Sequence, residues 1–139
     1  MPDRQGLLKK LQTTSRFLRT ALAQELQKEG LYPGQDNVLL ALSLKGELTL
    51  GQLAHELDVR PPTITKTILR LANQGFVEKN TSTEDQRQSF VSLTSKGLNI
   101  VNRLQTHLNA IEKTALNNVS NDEITILTEL LQRIERNLA

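Results

Sequence analysis

Lys66 and Arg70 stand one helical turn apart in "PPTITKTILRLANQGF", with Thr63 and Thr65 beside them, and no acid falls between Arg60 and Gly75. Two cations with hydroxyl neighbours and no carboxylate are suited to phosphate oxygens and base edges. An ordinary solvated helix face mixes both signs of charge. A second pair, Asp85 and Arg87, lies two residues apart in "STEDQRQSFVSLTSKG". Alone it would be a solvated turn, but it precedes an alternating apolar run and a helix start.

Other chemistries lack their residues. The chain has no cysteine, which excludes disulfides, thiolate metal sites and thiol redox sensing. Its only histidines are His55 and His107, too few for a structural zinc site, and each reads as a surface or core residue. With no clustered histidine and carboxylate and no glycine-rich phosphate loop, neither an enzyme nor a bound cofactor is expected. No apolar run is long enough to cross a bilayer, and "MPDRQGLLKK" lacks the apolar centre of a signal peptide, so a cytoplasmic location is expected. The formal charge is +2. Asp58 to Gly97 holds six basic and four acidic residues and carries that whole excess, since the remainder has eleven of each sign. This modest basicity is compatible with nucleic acid without establishing it.

The elements that must position Lys66 and Arg70 can be read from local signals. Thr49 and Gln52 form a T-x-x-Q capping box that opens a short helix, with Leu50, Leu53, Ala54 and Leu57 on one stripe. "DVR" is a tight connection, Pro61-Pro62 opens the next helix, and Gly75 ends it. Two short helices joined this way predict a helix-turn-helix. At about 100° per residue, Ile64, Ile68, Leu71 and Ala72 share a buried arc. Pro62, Thr63, Lys66, Arg70 and Asn73 share the opposite one, with Thr65 at the border and Leu69 an apolar exception. "FVEKN" and "QSFVSL" then predict a hairpin, completing a winged helix.

Upstream, Leu7, Leu8, Leu11, Leu18, Ala21, Leu22 and Leu26 predict a helix from about Arg4 to Lys28. Gly30 stops it, Pro33 suits the first turn of the next, and a second helix is predicted from about Gln35 to Leu44. Downstream, Thr94 caps a helix running to about Asn117, and Ser120 with Glu123 forms a second capping box. Beyond it Ile124, Leu127, Leu131, Ile134 and Leu138 keep a 3-4-3-4 rhythm, widened by Ile126 and Leu130. So apolar a terminal helix exceeds what a small winged helix can cover. With Leu7 and Leu11 of the first helix it predicts a homodimer interface.

Segments in this order, "PGQDNVLLAL", "LTLGQLAHELDVRPPTITKTILRLANQGFVEK", "EDQRQSFVSLTSKG" and "SNDEITILTELLQRI", resemble the multiple-antibiotic-resistance regulator (MarR) family of winged-helix repressors along essentially the whole chain. The wing matches the family's D-x-R followed by an apolar-x-L-T-x-[KE]-G strand end. The resemblance implies a mainly α fold with a β-hairpin wing, residues 32–94, flanked by dimerisation helices at 1–30 and 95–139. It further implies a homodimer on double-stranded DNA with an inverted-repeat operator, and often a small amphipathic effector. Pro62, Thr63, Thr65, Lys66 and Arg70 then fall on the helix laid in the major groove. Arg87 matches the arginine that enters the minor groove, where a guanidinium meets strong negative potential. Asp85 matches the acid that holds it, and Gln88 follows them. Arg16, Phe17 and Tyr32 fall beside the family's effector cleft, where packing explains them equally well.

The chain departs from the family where Tyr32 stands in place of a helix-capping threonine or serine, and where Lys79-Asn80 stands for two arginines. Without cysteine the thiol switch of the peroxide-sensing branch is excluded, and two distant histidines do not suit the zinc-responsive branch. The competing reading is a winged-helix protein-interaction module without specific DNA binding. Such a module should have shed the cations of its recognition helix and wing, yet Lys66, Arg70 and Arg87 all remain.

Overall fold

A computed structural model describes residues 1–81 and 88–139. Asp3 accepts from the Gly6 amide and starts α1 (Arg4–Lys28). Then come α2 (Gln35–Lys45), β1 (Leu48–Thr49), α3 (Leu50–Glu56), α4 (Pro61–Asn73), β2 (Val77–Thr81), β3 (Ser89–Leu93), α5 (Ser95–Ala115) and α6 (Asn121–Leu138). Both capping boxes form: the Thr49 hydroxyl accepts from the Gln52 amide, and Ser120 from Glu123, with each partner side chain reaching back.

Two local expectations need correction, and one strand was not foreseen. Pro33 lies outside α2 rather than in its first turn; Gly34, at φ +94°, is the N-cap, because the chain enters the helix through a left-handed residue. α5 ends at Ala115, not Asn117, since the Leu116–Val119 turn and left-handed Asn118 (φ +63°) close it early. β1 had no sequence signal: two residues show no alternation, and only their pairing with β3 makes them a strand.

The sheet is antiparallel in the order β1-β3-β2, with Leu48 opposite Val91 and Val77 opposite Leu93. Two compact units divide the chain, residues 1–108 and 109–139. In the first, Leu39, Leu53, Ile64, Ile68, Val91 and Ile100 are fully buried in one apolar core, so α2, both helices of the helix-turn-helix, β3 and α5 share it. The second holds α6, an 18-residue helix with no buried residue. Its Ile126, Leu127 and Leu130 are exposed while Ile124, Leu131 and Ile134 are half-buried.

The end of α4 is bonded to the start of α5. Thr94 donates its amide to the Phe76 carbonyl (3.1 Å) and its hydroxyl to the Gly75 carbonyl (2.6 Å). The same hydroxyl oxygen accepts from the Gly97 amide, capping α5. Lys96 lies over the Phe76 ring, 5.0 Å from its centre, and donates to the Gln74 carbonyl at 2.8 Å. A cation thus satisfies a carbonyl at the C-terminus of α4, where the helix dipole is negative.

α1 and α5 meet through charge. His107 Nδ1 lies 2.7 Å from Glu25, its Nε2 lies 3.0 Å from Glu29, and Arg103 donates to Glu29 at 2.9 Å. Lys28 pairs with Glu25 at 3.0 Å. The His107 bond first, then Arg103, holds the Glu29 carboxyl below its ordinary 4.5; Lys28 chiefly does so for Glu25. Stability from a lowered carboxyl is present in full above its unfolded pKa and is lost as pH falls through the folded value. Thermal midpoints should therefore drop between about pH 5 and pH 3, with a shallower drop in Glu29→Gln. At neutral pH Glu29→Gln should destabilise the wild type. In His107→Leu, where two like charges four residues apart lose their bridge and only Arg103 still pairs with Glu29, the same change should cost less. Equal effects in both backgrounds would mean that His107 does not couple the pair.

Candidate nucleic-acid interface

α3 and α4 are set by their connection. Leu57 ends α3, Asp58 turns left-handed (φ +51°), and Val59 donates back to the Ala54 carbonyl at 2.9 Å. Arg60 is the N-cap of α4 with prolines in its first turn, where missing amide hydrogens cost nothing. Burial of Ile64, Ile68 and Leu71 then fixes which face turns outward.

That outward face carries Pro62, Thr63, Thr65, Lys66, Leu69, Arg70 and Asn73, all exposed. Lys66 and Arg70 enter no ion pair among the described residues. Thr65 donates its hydroxyl to the Pro61 carbonyl and Thr67 to Thr63, so these hydroxyls keep lone pairs, not protons, for a partner. The face thus offers cationic donors and hydroxyl acceptors with no carboxylate to repel phosphate.

Beside α4 lies a groove of about 440 Å³ whose far wall is Tyr32 and Pro33. The Arg70 guanidinium sits over the Tyr32 ring, 5.6 Å from its centre. The Tyr32 segment is held by a chain of amides. Tyr32 N–H donates to Gln35 Oε1, Gln35 Nε2 to Gln74 Oε1, and Gln74 Nε2 to the Gly30 carbonyl, each within 3.0 Å. Gln35 is only 2 % exposed. No side chain caps α2, whose Gln35 amide donates instead to the Tyr32 backbone carbonyl at 3.1 Å.

Of the wing residues, Gln88 is exposed and, with Ser89, borders a 250 Å³ groove against Thr49 and Gly51 at the start of α3. Asp85 and Arg87 lie outside the described residues. Arg16 lines a second cleft, about 390 Å³, with Arg19, Leu22, Leu26, Pro33 and Asp36. Phe17 is 66 % exposed, with the Arg16 guanidinium 5.8 Å from its ring centre, and Tyr32 faces the α4 groove instead. Leu7 and Leu127 are exposed, as is Leu138, while Leu11 is half-buried. Sequence reading missed Gln35, Gln74 and Lys96. Gln35 stands beside the polar Asp36 and Asn37, so nothing local marked it, and its partner lies 39 residues away.

The MarR family model matches residues 31–89. An uncharacterised HTH-type transcriptional regulator of Bacillus subtilis (strain 168), YwoH, is 32% identical over 90 residues, which is 65% of each chain, just under two-thirds of that relative's length. A cysteine-to-serine mutant of MarR from E. coli, complexed with operator DNA, superposes with a TM-score of 0.84 at 22% identity, covering 93% of both chains. The PcaV transcriptional regulator from Streptomyces coelicolor, in complex with its natural ligand, gives 0.78 at 23% identity over 98% of this chain and 94% of that one. The two structural likenesses establish the winged-helix fold.

Proposed function

We propose that the chain is a member of the MarR family, whose model matches residues 31–89, and that it is a dimeric, sequence-specific DNA-binding transcription regulator, a repressor acting at a palindromic operator. The observation that carries this reading is the exposed, acid-free face of α4, whose Lys66 and Arg70 have no ion-pair partner among the described residues. α4 lies in the major groove, with Pro62, Thr63, Thr65, Lys66 and Arg70 against bases and phosphates. Arg87, steadied by Asp85 and followed by Gln88, enters the minor groove. Two-fold symmetry sets the recognition helices about 34 Å apart on an inverted repeat. Residues 32–94 form the DNA-binding part, and 1–30 with 95–139 the dimerisation part, through Leu7, Leu11 and the α6 stripe. The protein works in the cytoplasm.

The Arg16 cleft suits a small amphipathic effector. Two guanidinium groups face an acid and Leu22 and Leu26 take an apolar body. The ligand-bound PcaV structure supports a site of this kind in the fold.

The test is DNA binding titrated with salt, first on the region upstream of the protein's own gene and then on a selected duplex. Affinity should fall steeply with salt. Lys66→Ala should lower the slope of log K against log salt by about 1 per protomer, almost equally on all sequences. Arg70→Ala should instead cost about 1–3 kcal/mol at cognate sites and little on random DNA. Binding no tighter than to random DNA, unchanged in both variants, would favour the protein-interaction module.

A further inference from the structure

We propose that Tyr32 is a positioning residue for Arg70, a platform that presents the guanidinium to a base edge. This inference rests on the DNA-binding reading above. Arg70 is exposed on α4, and a free arginine samples many rotamers that cannot pair with a base. Tyr32 limits that sampling: its ring lies under the guanidinium at 5.6 Å. This cation–π contact takes none of the guanidinium's N–H donors, which stay available for two parallel bonds to guanine O6 and N7.

A platform works only if it is fixed to the helix it serves, and the Gln35–Gln74 chain fixes this one. Gln74 directly follows the last turn of α4, and through Gln35 it holds the Tyr32 amide. Its other bond, to the Gly30 carbonyl, holds the chain two residues before Tyr32. An amide pair spanning 39 residues, its Gln35 member buried, thereby ties the tyrosine to the recognition helix. The ring itself stays 59 % exposed, so core packing does not account for it. The departure from a capping threonine thus replaces a local cap with an aromatic contact aimed at the DNA-facing side.

The experiment compares wild type, Tyr32→Phe, Tyr32→Leu, Arg70→Ala and Tyr32→Leu/Arg70→Ala. The probe is a duplex that the wild type selects from a random-sequence pool, together with its single-base-pair variants. Tyr32→Leu should weaken binding about two- to five-fold per half-site and flatten the preference at the base pair where Arg70→Ala flattens it. Tyr32→Phe should retain both, and Tyr32→Leu should add nothing once Arg70 is alanine. In the free protein, the Arg70 Nε–H resonance should move in Tyr32→Leu and stay in Tyr32→Phe, with thermal midpoints unchanged. The proposal is overturned if Tyr32→Leu leaves affinity and preference intact while Arg70→Ala loses them, or if its cost is the same without Arg70. A wild type that selects no sequence would sink the DNA-binding reading, and the positioning role with it.

Discussion

Gly97→Ala should destabilise the protein by about 2–4 kcal/mol, although alanine is the better helix former. Gly97 lies in the first turn of α5, pressed against the segment that leaves α4. A Cβ there would fall inside the van der Waals envelope of the Phe76 carbonyl oxygen, 3.1 Å from its carbon and 3.2 Å from Leu93 Cδ2. Helix propensity favours alanine by only about 1 kcal/mol. Against it, the Phe76 carbonyl cannot retreat freely because it accepts the Thr94 amide. The clash therefore wins, and relief requires backbone movement where β2 begins and α4 ends. Urea or guanidinium unfolding would measure the loss, with Leu98→Ala as a nearly neutral control because Leu98 is 52 % exposed. A Gly97→Ala midpoint at or above the wild-type value would mean that α5 does not approach so closely.

If the protein is the proposed operator-binding dimer, Leu127→Asp should turn it into a monomer at micromolar concentration and abolish tight operator binding. α6 buries none of its residues within its own chain, and Ile126, Leu127 and Leu130 are 56 %, 48 % and 43 % exposed. Covering one leucine is worth about 1.5–3 kcal/mol. About half of each Leu127 is left for a partner to cover and a two-fold axis removes each contact twice, so the dimer dissociation constant should rise about 10- to 100-fold before any cost of burying the carboxylates. Loss of the second recognition helix then removes the gain from occupying two half-sites together. Sedimentation velocity would read the change in mass, and circular dichroism should show helix content retained. An unchanged monomeric mass in both proteins would remove this stripe as the interface.

How far each feature was legible depends on the span of its cause. The capping boxes at Thr49 and Ser120, the proline opening of α4 and the stop at Gly75 arise within four residues, and they were read directly. The outward face of α4 followed from periodicity, since Ile64, Ile68 and Leu71 choose the inner side. β1 exists only because β3 lies beside it, some forty residues later. The Tyr32–Arg70 cation–π contact and the Gln35–Gln74 bond likewise join residues close only in space. His107 read as a bland surface or core residue because its glutamate partners sit in the last turn and at the C-cap of α1, 82 and 78 residues before it. The meeting of α1 with α5 was therefore invisible to local pattern.

The bonds joining Gln74, Gly75 and Phe76 to Thr94 and Lys96 make the end of α4 a pivot, and the rest of that helix a lever arm. From Thr63 to Gln74 the arm is about 16 Å long. A tilt of about 10° at the pivot sweeps its tip through about 3 Å, as much as the whole length of a hydrogen bond. Residues near the tip, Pro62 and Thr63, then lose their register first, while Arg70, close to the fulcrum, moves least. On the proposed DNA-binding reading, a small turn of α5 is thus geared into the loss of base contacts, and the buried Ile64 beside the tip must move with them.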